Sequence, residues 1–459
     1  MLHSHKHNQP KICPIGFSMK QDTNLHPGPV RPQLQFRSTT KPISNMTLFA
    51  PPSQTTLHYR LVTPMFLGGE GQQVDPTQFR NASFKGALRF WWRALNWGAA
   101  QKDSAPLQWL HAREGALFGL ASDGKDSKQS RVQIQSDLQK VTLKQPGMGL
   151  KDIGYLLGQG LYSFSSGVTR QYLDGGDLTI TLRFKPGTSA EDIQSVEQAA
   201  IALGLFGGLG SRSRRGLGSL ALQTLERNDQ GEKEFTTLKS IEEFIKELDF
   251  SAPKDAPLSA LSVASRIDIS ATDNTGLGVL QKISKEMQLY RSFGRNNKVG
   301  SDDARRNFVA DHDAARDATQ GKALAHLPQR AVFGLPHNYH FSSNQRDKDI
   351  GITAEKEGRR ASPLLVHIHP LKDGSFIAIQ TLLPGIFLPP GMAVETKVSN
   401  RPKTIPDTSV DFNVITRYLD GFPQKQTLKV PCNGRYRQAN LPIHARPRAK
   451  LCGTSAAHA

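Results

Sequence analysis

Cysteine is nearly absent. Cys13, Cys432 and Cys452 are the only three in 459 residues, and none stands at ligand spacing from another. This gives neither a zinc-binding set nor a disulfide framework, and it points to a reducing compartment. No metal or cofactor is expected. Long apolar runs are also missing. No stretch approaches the roughly 18 apolar residues needed to cross a bilayer, and no signal peptide is visible, so the expected location is cytoplasmic, with no membrane partner. Acidic residues are in deficit, 40 against 58 Lys and Arg, for a net charge of +18. Such a balance favours a polyanion, because each phosphate neutralised by Lys or Arg releases counterions.

Glycine is concentrated in one place. Residues 204–220 read GLFGGLGSRSRRGLGSL, six glycines around Arg212, Arg214 and Arg215. A P-loop requires Gly, four residues and then Gly-Lys-Ser/Thr, and this stretch has no lysine. The dinucleotide pattern fails as well, since Gly208 and Gly210 are followed by Ser213 where a third glycine belongs. What remains is a flexible, side-chain-poor backbone with fixed positive charge, suited to a phosphodiester chain.

Residues 1–50, rich in His, Pro, Lys and Ser, read as a disordered leader, within which Met46 is an alternative start. A first domain is expected over 51–230. Its strands read from TLHYRL, SRVQIQSDL, DLTITLRF and GSLALQTL, and its second helix begins after Ser189 with acids in the first turn. The same grammar restarts over 231–420. SALSVASRIDIS is a strand, TGLGVLQKISKEMQLYRSFG a helix, and SPLLVHIHPL and SFIAIQTLLP two more strands. Strand, helix and strands recurring twice predict an α+β protein of two tandem ferredoxin-like (RRM-like) domains with insertions and flexible termini. From Gly421 onward the chain carries seven basic residues and no acidic one, a mobile basic tail over 421–459.

The first helix, SFKGALRFWWRALNW, takes Ser83 as its N-cap and places Lys85, Arg89 and Arg93 four residues apart on one face. That stripe suits phosphate contacts, while Trp91 and Trp92 read as core. Catalytic candidates are sparse. Asp311, His312 and Asp313 form a lone His–Asp grouping that most simply caps or bridges. His367 and His369 alternate along one strand, and His337 and His340 flank FGLP. A metal-independent endoribonuclease needs a His base beside a cation, and His312 with Arg305 or Arg306 is the arrangement to test.

Three stretches together carry a resemblance: TPMFLGGEG with SFKGALRFWWRAL, then EGALFGLASDGKDSKQSRVQI, then GGLGSRSRRGLGSL. With them the chain resembles, over about 56–384, the RAMP superfamily of CRISPR effector proteins, and within it the first-numbered subunits of the type III-B (Cmr) RNA-targeting complex. RAVFGLPHNYHF and RRASPLL extend the likeness into the second half. The resemblance implies two ferredoxin-like domains and a non-catalytic place at the head of the complex, near the 3′ end of the guide RNA. There the subunit would help hold guide and target RNA, with other RAMP subunits as partners. On that reading Arg212, Arg214 and Arg215 grip phosphates, while Gly208, Gly210 and Gly216 let a strand approach. A metal-independent RAMP endoribonuclease processing guide RNA, with His312 as base, is the alternative. The leader, the basic tail and the charged insert at 294–313 depart from the family pattern.

Overall fold

Apolar residues at every second position form strand β1 (Gln54–Leu61), in which Leu57, Tyr59 and Leu61 all face inward. After it come α1 (Asn81–Ala100), α2 (Pro106–Phe118), β2 (Val132–Gln139), a single helical turn α3 (Gly154–Leu157), β3 (Asp177–Phe184), α4 (Ala190–Phe206), β4 (Leu220–Arg227) and β5 (Gly231–Glu234). In this computed structural model the residues described are 53–69, 73–121, 127–228, 231–341, 349–355, 358–398 and 401–431. The leader and most of the basic tail lie outside them.

The first sheet runs β2-β3-β1-β4-β5, antiparallel throughout, with Leu57 opposite Ile180 on one side and Leu225 on the other. The helices α1 and α4 cover it and share one core with its inward residues. Trp91 and Trp92 are fully buried in that core, as the sequence predicts. The indole of Trp92 donates to Ser195 Oγ (3.0 Å), and the Tyr59 hydroxyl donates to the carbonyl of Ala200 (2.9 Å). A Cβ on Gly204 would lie 2.5 Å from that of Leu222, so glycine is what lets α4 settle on β4. Ser189 caps α4 by accepting from the Asp192 N–H. Helix α1 differs from its expected start: it begins at Asn81, and no side chain caps it.

The second half adds α5 (Leu238–Glu247), β6 (Arg266–Asp273), α6 (Gly276–Arg291), α7 (Val309–Thr319), β7 (His337–Tyr339), β8 (Ile350–Ala354), β9 (Leu364–Pro370), β10 (Phe376–Leu382), β11 (Val394–Val398), β12 (Arg401–Ile405), α8 (Asn413–Asp420) and β13 (Gln426–Lys429). Its main sheet is β9-β10-β6-β13. The connectivity repeats that of the first: a hairpin of the second and third strands, the first strand beside it, and the fourth on the far side. The strand expected from Ser259 begins at Arg266 instead. Ahead of it the hydroxyls of Ser262 and Ser265 accept backbone N–H groups and make a turn.

A third sheet, β7-β8-β11-β12, was not foreseen. Its strands come from two separate stretches, one between α6 and β9 and the other between β10 and α8. It has its own core, in which Ile350, Ile352, Val394 and Ile405 pack with Ala315 of α7. The charged insert predicted at 294–313 contributes a small hairpin, Lys298–Val299 against Asp302–Asp303, and the start of α7. Among the described residues no helix is long and apolar enough to cross a membrane.

Candidate nucleic-acid interface

The glycine-rich loop leaves the end of α4 and returns as β4, and it is bolted down rather than flexible. The N–H of Ser211 donates to Phe66 O (3.0 Å), that of Gly218 to Pro64 O (2.9 Å), and that of Leu209 to Gly218 O (2.9 Å). Each of its glycines at 208, 210, 216 and 218 meets the protein itself. A Cβ at Gly218 would fall 2.0 Å from Leu209 O, at Gly210 2.7 Å from Phe66 O, at Gly208 2.8 Å from Gly218 O, and at Gly216 2.8 Å from a Leu280 methyl. Gly210, Gly216 and Gly218 also take positive φ (+87°, +83° and +61°). The glycines therefore serve the internal packing of the loop, a correction to the expectation that they clear a path for a strand of RNA.

Arg214 and Arg215 lie in a short helical turn, Ser213–Arg215, that Arg212 immediately precedes, and none of the three forms an ion pair with a carboxylate among the described residues. They donate to carbonyls instead. Arg212 gives Nε to Leu157 O (3.1 Å) and Nη2 to Gln159 O (3.0 Å), and Arg215 gives Nη1 to Leu156 O (3.1 Å), all at the C-terminal end of α3. Arg214 donates to Ser362 O, with its guanidinium 5.0 Å from the centre of the Phe90 ring. Burial, aided by Arg360, pulls Arg214 down to about 10. Burial, with Arg291 and Arg212 beside it, does the same to Arg215. Both stay charged at neutral pH and are structural as much as electrostatic. Arg212 is the exposed member. Its pKa is lowered by partial burial and then by the positive charges of Arg359 and Arg170.

That triplet is the centre of unbalanced charge. Arg170 is half-buried and Arg359 exposed, and neither has a carboxylate partner among the described residues. Sequence reading missed both, because each is a single arginine in a separate loop and only the fold brings them to Arg212.

The basic stripe on α1 is arranged differently from its prediction. Arg89 Nε and Arg93 Nη1 both reach Oε1 of Glu114 on α2, at 2.6 and 2.5 Å, and the Glu114 side chain is only 6% exposed. Two cations thus share one buried anion at the α1–α2 contact, and the stripe is no open phosphate ladder. Lys85 is half-buried, and desolvation followed by repulsion from Arg89 lowers its pKa. The face of α1 that does open outward carries Arg80, Ser83 and Ala87. With Phe66–Gly68, Gly208–Ser211 and Ser213 it lines a groove of about 400 Å³. Ser83 and Ala87 are about 200° of helix rotation from Lys85 and Arg89 respectively.

The catalytic candidate is placed unfavourably. His312 stacks on Phe293 (ring centres 3.6 Å apart, planes at 7°), and its Nδ1 lies 3.1 Å from Asp313. Arg305 is clamped by both oxygens of Glu286, and the Arg306 guanidinium sits over Phe293. Asp311 accepts the N–H groups of Gln329 and Arg330, which is a structural task. No cluster of metal-binding side chains occurs among the described residues. His367 and His369 are buried in β9 and serve the fold.

With this geometry in view, residues 58–221 match the model of the RAMP superfamily. That segment runs from the second half of β1 to the first residues of β4, and includes α1, α2, β2, β3, α4 and the glycine-rich loop. Among solved structures the chain is similar to the crystal structure of apo Cmr1 from Pyrococcus furiosus, at 16% identity and TM-score 0.46, covering 82% of this chain and 99% of that one. It is also similar to a chain of the type III-B Cmr-beta complex bound to cognate target RNA, at 12% identity and TM-score 0.44, covering 80% and 98%. No curated protein matches the chain.

Proposed function

We propose that this chain is a non-catalytic RNA-binding and assembly subunit of a type III-B CRISPR ribonucleoprotein effector complex, built on two tandem ferredoxin-like domains. It would sit at the head, near the 3′ end of the guide RNA, and help hold guide and target strands beside other RAMP subunits. The RAMP match over 58–221 supports the class, and the four-strand order shared by the two main sheets, to which the first adds β5 at its edge, supports the tandem architecture.

One observation carries the RNA-binding role. Arg212, Arg170 and Arg359 stand close enough to depress the Arg212 pKa, and no described carboxylate balances them. Such a cluster gains most from a phosphate chain, which supplies the missing negative charge and displaces counterions. Arg214 and Arg215 are the wrong residues to remove in a test, since each is drawn into the fold as it ties two segments together; Arg212 makes comparable bonds from an exposed site, so a thermal melt of its variant accompanies the titration. The experiment is titration of a labelled single-stranded RNA at several salt concentrations, comparing the full chain with the triple variant Arg170→Ala, Arg212→Ala, Arg359→Ala. Weaker binding and a salt slope shallower by about 0.7 per lost phosphate contact are expected. An unchanged slope overturns the assignment. Cleavage of guide-repeat RNA that disappears in His312→Ala would replace it with the nuclease reading.

A further inference from the structure

We propose that Phe164 is a stacking platform for an unpaired base of the bound strand, carried on a rigid hairpin whose root is fastened to the arginine cluster. The inference rests on the RNA-binding reading above and adds to it a specific aromatic contact. Phe164 is 94% exposed, an unusual state for so large an apolar ring, and Met148 beside the hairpin is 64% exposed. The two strands of the hairpin pair Tyr162 with Val168 and Ser163 with Gly167, leaving Phe164 at the tip.

The tip is held in place from two sides. The ring of Tyr162 lies edge-on to that of Phe164, centres 5.9 Å apart, and is itself pressed on α3, where a Cβ at Gly154 would come within 2.9 Å of it. On the other side Val168 and Gly147 exchange both backbone hydrogen bonds (2.6 and 2.9 Å). Gly167 has φ +71°, and a Cβ there would fall 2.1 Å from Gly147 O. An aromatic ring fixed this way loses little freedom when a base stacks on it.

The root supplies the charge. Arg212 grips the carbonyls of Leu157 and Gln159 just before the hairpin. Thr169 closes its other end onto Leu161 and Gly160, and Arg170 follows directly. Phe164 is six residues before Arg170, but because Ser163 pairs with Gly167 it stands only about four residue steps, roughly 13 Å, from Arg170 along the hairpin, so that phosphates at the root and a base at the tip belong to one short oligonucleotide. The occupant is argued from charge. No Asp or Glu occurs from Gly154 to Leu173, so the hairpin and its root add no negative charge of their own to the path. Ser163 and Ser165 satisfy each other at 2.8 Å, which leaves the ring as the feature the tip presents. Alternating arginine and aromatic contacts is how single strands are held without sequence readout.

The test uses the full chain with Phe164→Ala, Phe164→Trp and the triple arginine variant. The probes are a short single-stranded RNA containing 2-aminopurine and a copy of it with one abasic position. We expect Phe164→Ala to weaken binding about 5- to 100-fold at an unchanged salt slope and to lose the stacking quench, with Phe164→Trp restoring both. The abasic probe should bind wild type and Phe164→Ala alike. Equal affinity and quench for wild type and Phe164→Ala on the intact probe would overturn the platform. If the arginine variant still flattens the salt slope, the RNA-binding reading survives that failure; if it does not, both fall. Loss of copurifying RAMP subunits in Phe164→Ala, with RNA affinity unchanged, would reassign the tip to a protein contact. A thermal melt of Phe164→Ala matching wild type confirms that the exposed substitution leaves the fold intact.

Discussion

The Nδ1 of His367, on β9, lies 2.6 Å from the carbonyl oxygen of Gly207, the residue that opens the glycine-rich loop. Its neighbour His369 reaches Phe235 O from Nε2 at 2.8 Å, while His367 Nε2 and His369 Nδ1 face each other at 3.3 Å. Each carbonyl fixes the proton on the nitrogen that faces it. In the neutral pair both inward nitrogens are then lone-pair acceptors, so the contact between the rings holds no proton. A strand of the second sheet thus anchors the end of α4 through the uncharged imidazole of His367, and the segment between β5 and α5 through that of His369.

A pH dependence follows. Burial first, and then the neighbouring imidazole, push His367 down to about 3, and burial pushes His369 down to about 4. Unfolded histidines titrate near 6.5, so between pH 6.5 and about 4 the unfolded chain binds protons that the folded chain refuses. Stability from this pair is complete above pH 7 and falls as the pH drops, by about 2 kcal/mol per histidine between pH 7 and 5. Melting temperatures of wild type and His369→Gln over that range should converge toward acid, the variant having the shallower dependence. Parallel curves would refute the neutral-pair assignment.

Glu114 should matter more to stability than the basic residues it holds matter to RNA. Glu114→Gln leaves Arg89 and Arg93 without their shared anion at the α1–α2 contact, and a loss of about 1–3 kcal/mol is expected in denaturant unfolding. RNA affinity should be unchanged or slightly raised, since two cations are released. A large fall in affinity with normal stability would restore the stripe to the binding surface.

Among the glycines the expected costs differ sharply. Gly218→Ala forces a Cβ onto Leu209 O at positive φ and should cost more than about 3 kcal/mol or prevent folding, whereas Gly160→Ala, at φ +89° but with nothing within 4 Å of its Cβ, should cost about 1–2 kcal/mol. Comparable melting temperatures for the two would show that the loop relaxes freely.

Arg214 and Arg212 should separate in the same way. Arg214→Ala removes the donor to Ser362 O and the stacking on Phe90, and should lower the melting point by several degrees. Arg212→Ala, at an exposed site, loses its bonds to Leu157 O and Gln159 O but should lower the melting point less than Arg214→Ala and act mainly on RNA affinity. The reverse pattern in paired melting and binding titrations would exchange their roles.

How far the sequence was legible depended on the range of the interaction. Strand β3, the Ser189 cap and the burial of Trp91 and Trp92 follow from local periodicity and capping chemistry, and the structure reproduces them. Helix α1 starts at Asn81 with Arg80 at its N-cap position and no side-chain cap, so Ser83, already inside the helix, was a false signal. The partner of the basic stripe was hidden, since Glu114 lies on another helix with no fixed spacing from Arg89. A lone acid within the otherwise apolar end of PLQWLHAREGALF was the one available hint. Arg170 and Arg359 carried no local signal at all. The loop glycines were visible, but their purpose depends on Phe66, Leu209 and Leu280, which are distant in sequence or conformationally unpredictable.

The third sheet carries its own lesson for anyone rearranging this chain. Its two halves flank the β9–β10 hairpin in sequence and join it at its open end, where Leu364 pairs with Leu382, and β8 is zipped to β11 from Ile350↔Val398 to Ala354↔Val394. Neither contribution is a contiguous cassette. Deleting one strips the other of its cross-strand neighbours and bares Ile352 and Val394 to water, so grafts and truncations at this end must move both pieces together.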